Sequence, residues 1–201
     1  MKYIHFIGLI VSMFLFSCET KPLPYLGNTI IEDGKPIYHN VGHFTYLNQD
    51  SVLISDTTLS NYVYVADFFF TSCPSICPKV MKEMLRIHES FKGDDRVKLV
   101  SFTIDPKRDN VARLKMYATN MEADTRYWHF LTGDKDKTLD LAGNFFVAAI
   151  EDPTAPGGFD HSGKIVLVDK SGHVRSFTEG TEPDDTPKFI ADIYTLLKEY
   201  E

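Results

Sequence analysis

Tyr62-Val63-Tyr64-Val65-Ala66-Asp67-Phe68-Phe69-Phe70 runs directly into Thr71-Ser72-Cys73-Pro74-Ser75-Ile76-Cys77, and the chain then continues to Phe91. The first nine residues are almost unbroken apolar and rich in β-branched and aromatic side chains, the pattern of a strand buried on both faces of a parallel sheet. From Cys77 onward, Val80, Met81, Met84, Leu85, His88 and Phe91 recur at helical spacing until Gly93 stops the pattern. A buried strand therefore passes into a helix with two cysteines at the junction. Open α/β sheets bind ligands beyond the carboxyl ends of their strands, so this junction is a functional edge before any residue type is considered.

Reading outward, Val97 to Ile104 is a second central-type strand, followed by Asp105-Pro106 and a helix from about Asn110 to Thr119 with Val111, Leu114, Met116 and Tyr117. Trp128 to Leu131 reads as a short strand and Thr138 to Phe146 as a helix. The loop Glu151 to Asp160, with Pro153, Pro156, Gly157 and Gly158, leads to His161. Ile165 to Val168 and Val174 to Phe177 flank Asp169-Lys170-Ser171-Gly172, a hairpin signal, and Pro187 to Tyr200 forms a last amphipathic helix. Upstream, Phe44 to Leu47 and Val52 to Ile54 suggest an N-terminal β-hairpin. The sum is an α/β sandwich: a mixed central sheet, parallel inside and antiparallel at one edge, flanked by helices. Its order matches a thioredoxin-like architecture with an inserted helical segment.

The chain has 201 residues, of which 43% are hydrophobic and 24% charged, enough apolar material for one core. With 21 Lys and Arg against 28 Asp and Glu the formal charge is -7, and no dense basic cluster occurs, so nucleic acid is not an expected partner. Three cysteines are too few for a disulfide-built scaffold. The first belongs to the N-terminus. Lys2 precedes an apolar run from Tyr3 to Phe16, of about 14 residues and too short to span a bilayer core comfortably, which has the shape of a signal peptide. Leu15-Phe16-Ser17-Cys18 resembles the bacterial lipobox, in which the cysteine becomes the lipidated first residue; Phe16 departs from the small or aliphatic residue usual there. An uncleaved anchor helix and an ordinary secretory signal are the alternatives, and all three place the domain outside the cytoplasm. The expected division is 1–17 lipoprotein signal peptide, 18–40 tether with one short hairpin, and 41–201 folded domain, held to the membrane through Cys18.

At the junction, the unpaired N–H groups and partial positive charge of a helix start favour thiolates, the reactive and metal-binding form of cysteine. A helix reaching back to Cys73 would bring the two sulfurs onto one face. A purely structural disulfide across so short a loop would constrain the unfolded chain by roughly 2 kcal/mol or less. A redox-active dithiol and a metal site remain. His161 draws the reading toward metal, because it follows a Gly/Pro-rich loop at a position from which a sheet-edge loop can reach the helix start. Two thiolates and an imidazole suit copper, in either oxidation state, better than oxygen-loving cations.

Phe68-Phe69-Phe70-Thr71-Ser72-Cys73-Pro74-Ser75-Ile76-Cys77-Pro78, then Thr103-Ile104-Asp105-Pro106-Lys107-Arg108-Asp109, then Asp160-His161-Ser162, resemble the Sco (SenC/PrrC) family of copper-handling proteins over about Phe44 to Tyr200. The C-x-x-x-C motif and the downstream histidine together are specific, since thioredoxins usually carry C-x-x-C and lack that histidine. The resemblance implies a thioredoxin-like fold and one copper ion per chain, Cu(I) or Cu(II), on Cys73, Cys77 and His161. Its DP-x-x-D aspartate falls on Asp105, a candidate beside the site. It also implies delivery of copper to the dinuclear centre of cytochrome c oxidase subunit II, or reduction of cysteines there. The expected protein is a metallochaperone rather than an enzyme; the alternative is a membrane-tethered thiol–disulfide oxidoreductase using the Cys73/Cys77 pair.

Other candidates carry less. Asp105 before Pro106 also fits a turn residue. His39 and His43 lie four apart without a helical pattern, the setting of solvated loop histidines. Met81 and Met84 continue an apolar stripe and are expected in the core, whereas Lys79 and Lys82 form a solvated face. Thr71 before Cys73 resembles a peroxide-reactive arrangement, which the Cys77 partner fits poorly.

Overall fold

A computed structural model describes residues 21–201. Its core is a seven-stranded sheet ordered β11-β10-β5-β6-β7-β3-β4. The three parallel centre strands are β5 (Val63–Phe69), β6 (Val97–Thr103) and β7 (Trp128–Thr132). All seven residues of β5 are buried, as a near-continuous apolar run requires when both sheet faces are covered. On one side β10 (Lys164–Val168) and β11 (Val174–Glu179) extend the sheet antiparallel; on the other, β3 (Thr45–Asn48) and β4 (Leu53–Ser55) do so as a hairpin. The expected mixed sheet and N-terminal hairpin are both present, but the sheet is antiparallel at both edges rather than at one, because the N-terminal hairpin joins it beside β7.

Helices cover the two faces. Because β5 side chains alternate, Phe69 packs against Tyr117 of α3 (Val111–Asn120) and Phe130, while Phe68 faces Phe102 and Phe145 at the end of α4 (Lys135–Asn144). The helix α2 (Cys77–Ser90) shares the Phe69 face: its His88 lies 5.6 Å from the Trp128 ring, which stacks on Phe130. The last helix, α5 (Thr186–Lys198), packs beside α2 through Tyr194 and Phe91. Asn110 caps α3 by accepting from the Arg113 N–H at 3.0 Å, and Asp134 caps α4 from Lys137 N–H. The Asp134 cap starts α4 three residues before the apolar pattern does.

Two elements and the placement of the expected short hairpin go beyond the sequence reading. A one-turn helix α1 (Asp56–Leu59) follows β4 behind a Ser55 capping box. The Glu151 to Asp160 loop is the turn of a small hairpin, β8 (Ala149–Glu151) with β9 (Phe159–His161). Residues 21–40, expected to be a tether, form the short hairpin β1 (Ile30–Glu32) with β2 (Lys35–Ile37) and lie along the domain. There Leu26 N–H donates to Val174 O, Tyr25 stacks on Tyr38 at 3.9 Å, and His39 Nε2 donates to Asn144 O at 2.7 Å. Cys18 and the apolar N-terminal run lie outside the described residues. Among those described, no helix is long and apolar enough to cross a membrane.

Candidate metal centre

β5 ends at Phe69, and Phe70 turns the chain so that Cys73 N–H reaches Phe70 O at 3.2 Å. Ile76 occupies the cap position of α2 without a side-chain cap, Cys77 is the first helical residue, and Pro78 follows where a missing N–H does no harm. The helix therefore does not extend back to Cys73, contrary to the simplest reading of the spacing. A turn brings the sulfurs together instead. From across the sheet edge, β9 presents His161, paired with Ala149 of β8.

Cys73, Cys77 and His161 are 8%, 2% and 8% exposed, and both cysteines are free thiols. His161 Nε2 lies 3.3 Å from Cys77 Sγ and 3.8 Å from Cys73 Sγ, and all three donor atoms fall within 4.8 Å of one another. Nδ1 faces Ser162 O at 3.2 Å, which can only accept, so Nδ1 carries a hydrogen and Nε2 is the nitrogen turned to the sulfurs. Metal–sulfur and metal–nitrogen bonds of roughly 2.3 and 2.0 Å place such donors roughly 3.5 to 4 Å apart, so the observed spacing fits a shared ion with little movement. The donor set is soft, and no oxygen-rich cluster competes with it among the described residues.

The two thiols differ sharply. Burial disfavours the Cys73 thiolate, yet hydrogen bonds from His161, the Ser75 backbone and Cys77 outweigh it and hold this thiol at about 6. Burial dominates at Cys77 and pushes its thiol well up; a backbone hydrogen bond from Phe70 opposes this, and the Cys73 charge adds to it. An acidic, slightly less buried thiol thus stands against a deeper, reluctant one.

Phe70 supports the arrangement from below, 5.5 Å from the His161 ring and 5.3 Å from Phe159. Asp105 is buried and receives Arg108 Nη1 at 2.6 Å; the same nitrogen lies 3.4 Å from Gly157 O in the hairpin that carries His161. Asp105 thus works through Arg108, not as a fourth member of the cluster. Asp109 stood in the quoted motif without a role. It is fully buried and bonded to Thr71, and the signal that could have found it was its place one turn beyond Asp105. His39 and His43 do not meet: His39 bonds Asn144 O and His43 pairs with Asp56. Met81 and Met84 are core residues.

The sequence profile of the SCO1/SenC family matches residues 33–198. A SCO1 protein homolog of Bacillus subtilis is 31% identical over 183 residues, 90% of this chain and 91% of its own. Among solved structures, BsSco, described as a member of the Sco family of cytochrome c oxidase assembly proteins with a disulfide switch, superposes with a TM-score of 0.69 at 29% identity, over 84% of this chain and 98% of that one. Bradyrhizobium japonicum ScoI with copper bound does so with a TM-score of 0.64 at 25% identity, over 77% and 98%. With fold, profile and full-length relatives in agreement, the chain belongs to the SCO1/SenC family.

Proposed function

We propose that the protein is an extracytoplasmic copper chaperone that holds one copper ion between Cys73 Sγ, Cys77 Sγ and His161 Nε2 and passes it to cytochrome c oxidase subunit II or another copper-accepting protein. The observation that carries this reading is three soft donors within 4.8 Å of one another at a sheet edge. Copper-bound ScoI and the cytochrome c oxidase assembly role given to BsSco support it. Cu(I) and Cu(II) both suit two thiolates and an imidazole. Cys73 is the less buried of the two cysteines, so an incoming ligand would displace its sulfur first. Lipidation at Cys18, with 1–17 as the signal peptide, would hold the protein on the periplasmic side of a bacterial membrane.

A copper titration of the reduced domain tests the site. Sulfur-to-Cu(II) charge-transfer absorption should saturate at one equivalent, and Cys77→Ala or His161→Ala should lower affinity at least about a hundredfold while leaving far-UV circular dichroism unchanged. A folded variant that still binds one tight copper would refute the ligand set. The low Cys73 and high Cys77 thiols favour one second reading, a thiol–disulfide oxidoreductase in which Cys73 attacks a partner disulfide and Cys77 resolves the mixed disulfide. That reading requires the copper-free protein to reduce a partner's disulfide at an undiminished rate.

A further inference from the structure

The loop that carries Cys73 is held from outside as well as by its own Cys73 N–H to Phe70 O bond. Asp109, at the entry to α3, is fully buried and accepts from three donors: Thr71 N–H at 2.9 Å and Thr103 hydroxyl at 2.7 Å on Oδ2, and Thr71 hydroxyl at 2.5 Å on Oδ1. Arg113 Nε donates to Thr71 Oγ1 at 2.6 Å and lies 3.5 Å from Asp109 Oδ1. Asp109 is itself fixed, since its N–H closes a turn onto Asp105 O at 2.9 Å. Thr71, two residues before Cys73, is thus clamped through both its backbone N–H and its hydroxyl, across 38 residues of sequence.

Three hydrogen bonds to one buried carboxylate exceed what helix α3 needs, because Asn110 already caps it. No other side chain among the described residues bonds Thr71. The outcome of the clamp is the position of the loop relative to Cys77, which the helix fixes, and His161, which the β8–β9 hairpin fixes. In the clamped geometry the sulfurs are separate thiols flanking Nε2. A disulfide requires them to close to about 2.05 Å, a movement that a tethered loop resists.

We propose that Asp109, acting through Thr71, is the positioning residue of the metal centre: it holds the Cys73 sulfur at the metal-binding separation and so favours the open dithiol over the disulfide. This inference rests on the copper reading for its first consequence and is independent of it for the second. Releasing the clamp should weaken copper retention and, in the same variant, favour oxidation, in which two thiols and one glutathione disulfide give the protein disulfide and two molecules of glutathione. A residue that merely stabilised the fold would weaken both states alike.

Thr71→Val removes the hydroxyl while keeping the size and the N–H; Thr71→Ser restores the hydroxyl, and Asp109→Asn breaks the acceptor directly. We expect Thr71→Val to release copper to an excess of chelator about tenfold faster than wild type, the factor one hydrogen bond to a charged group can carry. Its disulfide should persist at a ratio of reduced to oxidised glutathione severalfold more reducing, and Thr71→Ser should return both values to wild type. Unchanged values in Thr71→Val for both measurements, or a shift toward the dithiol, would overturn the proposal. If wild type retains no copper but Thr71→Val still favours the disulfide, the chaperone reading falls and the positioning role stands.

Discussion

Asp67 is the one fully buried acid in the middle of β5, and its two oxygens are treated unequally. Oδ1 accepts the Ser101 hydroxyl at 2.5 Å, and that hydroxyl oxygen accepts from Trp128 Nε1 at 2.8 Å, whereas Oδ2 has no partner. Burial, only partly offset by the Ser101 hydrogen bond, pushes the carboxyl up to about 7. A folded-state value above the unfolded one means the native state binds the proton more tightly. Its stabilising contribution is therefore complete below about pH 4, is lost as pH rises to about 7, and stays lost above that. At about 1.4 kcal/mol per unit, the loss is on the order of a few kcal/mol. Asp67→Asn keeps the neutral shape and does not titrate. Urea unfolding should find the variant close to wild type at pH 4 and clearly more stable at pH 8; a difference that does not change with pH would refute this account.

Among the elements, the β8–β9 hairpin bears most directly on the site, because it delivers His161 while burying little of its own. Its tip depends on Gly157, which has φ +87° and a position where a Cβ would meet the Phe70 ring at 2.6 Å. Phe70 is fixed beneath both Phe159 and His161, so it cannot yield without moving the imidazole. Gly157→Ala should lower stability by about 1 to 3 kcal/mol and weaken copper binding through displacement of His161, whereas Gly158→Ala carries the same backbone strain at φ +92° but meets no neighbouring atom and should leave the histidine in place. Equal copper affinity in both variants would show that the tip does not position the histidine. This hairpin also marks the limit of legibility. The strand β5, the helix α2 and the two cysteines were readable because their signals lie within one unbroken stretch. His161 was readable as a residue, but not as the end of a three-residue strand that pairs with another of equal length. The Asp109 clamp joins Thr71 to a residue 38 positions away, and no local periodicity encodes such a pairing.

At the scale of the whole molecule, the sheet separates the metal centre from the N-terminal strap. β5 runs from Val63 to the cysteine loop, about 20 Å at 3.3 Å per residue. β10 runs back beside it, pairing Val166 with Ala66 and Val168 with Tyr64, so Asp169 and β11's first residues lie at the end away from Cys73. There Arg175 is almost wholly buried. It donates to Asp169 at 3.2 Å, Glu199 at 2.7 Å and the carbonyls of Leu23 and Pro24, while Leu23 N–H donates to Glu199. Tyr25 covers the guanidinium at 4.2 Å. One arginine therefore ties the segment after Cys18, the last helix and the β10–β11 turn together. Breaking a buried pair by removing one member leaves the other charge unpaired, so Arg175→Ala should destabilise by about 3 kcal/mol. It should also release the strap. Limited proteolysis should then cut within residues 21–40 of the variant under conditions where wild type is resistant, while one-equivalent copper binding at the far end of the sheet persists. Loss of copper binding in a folded Arg175→Ala protein, or a strap as resistant as in wild type, would show that the two ends are not organised independently across the sheet.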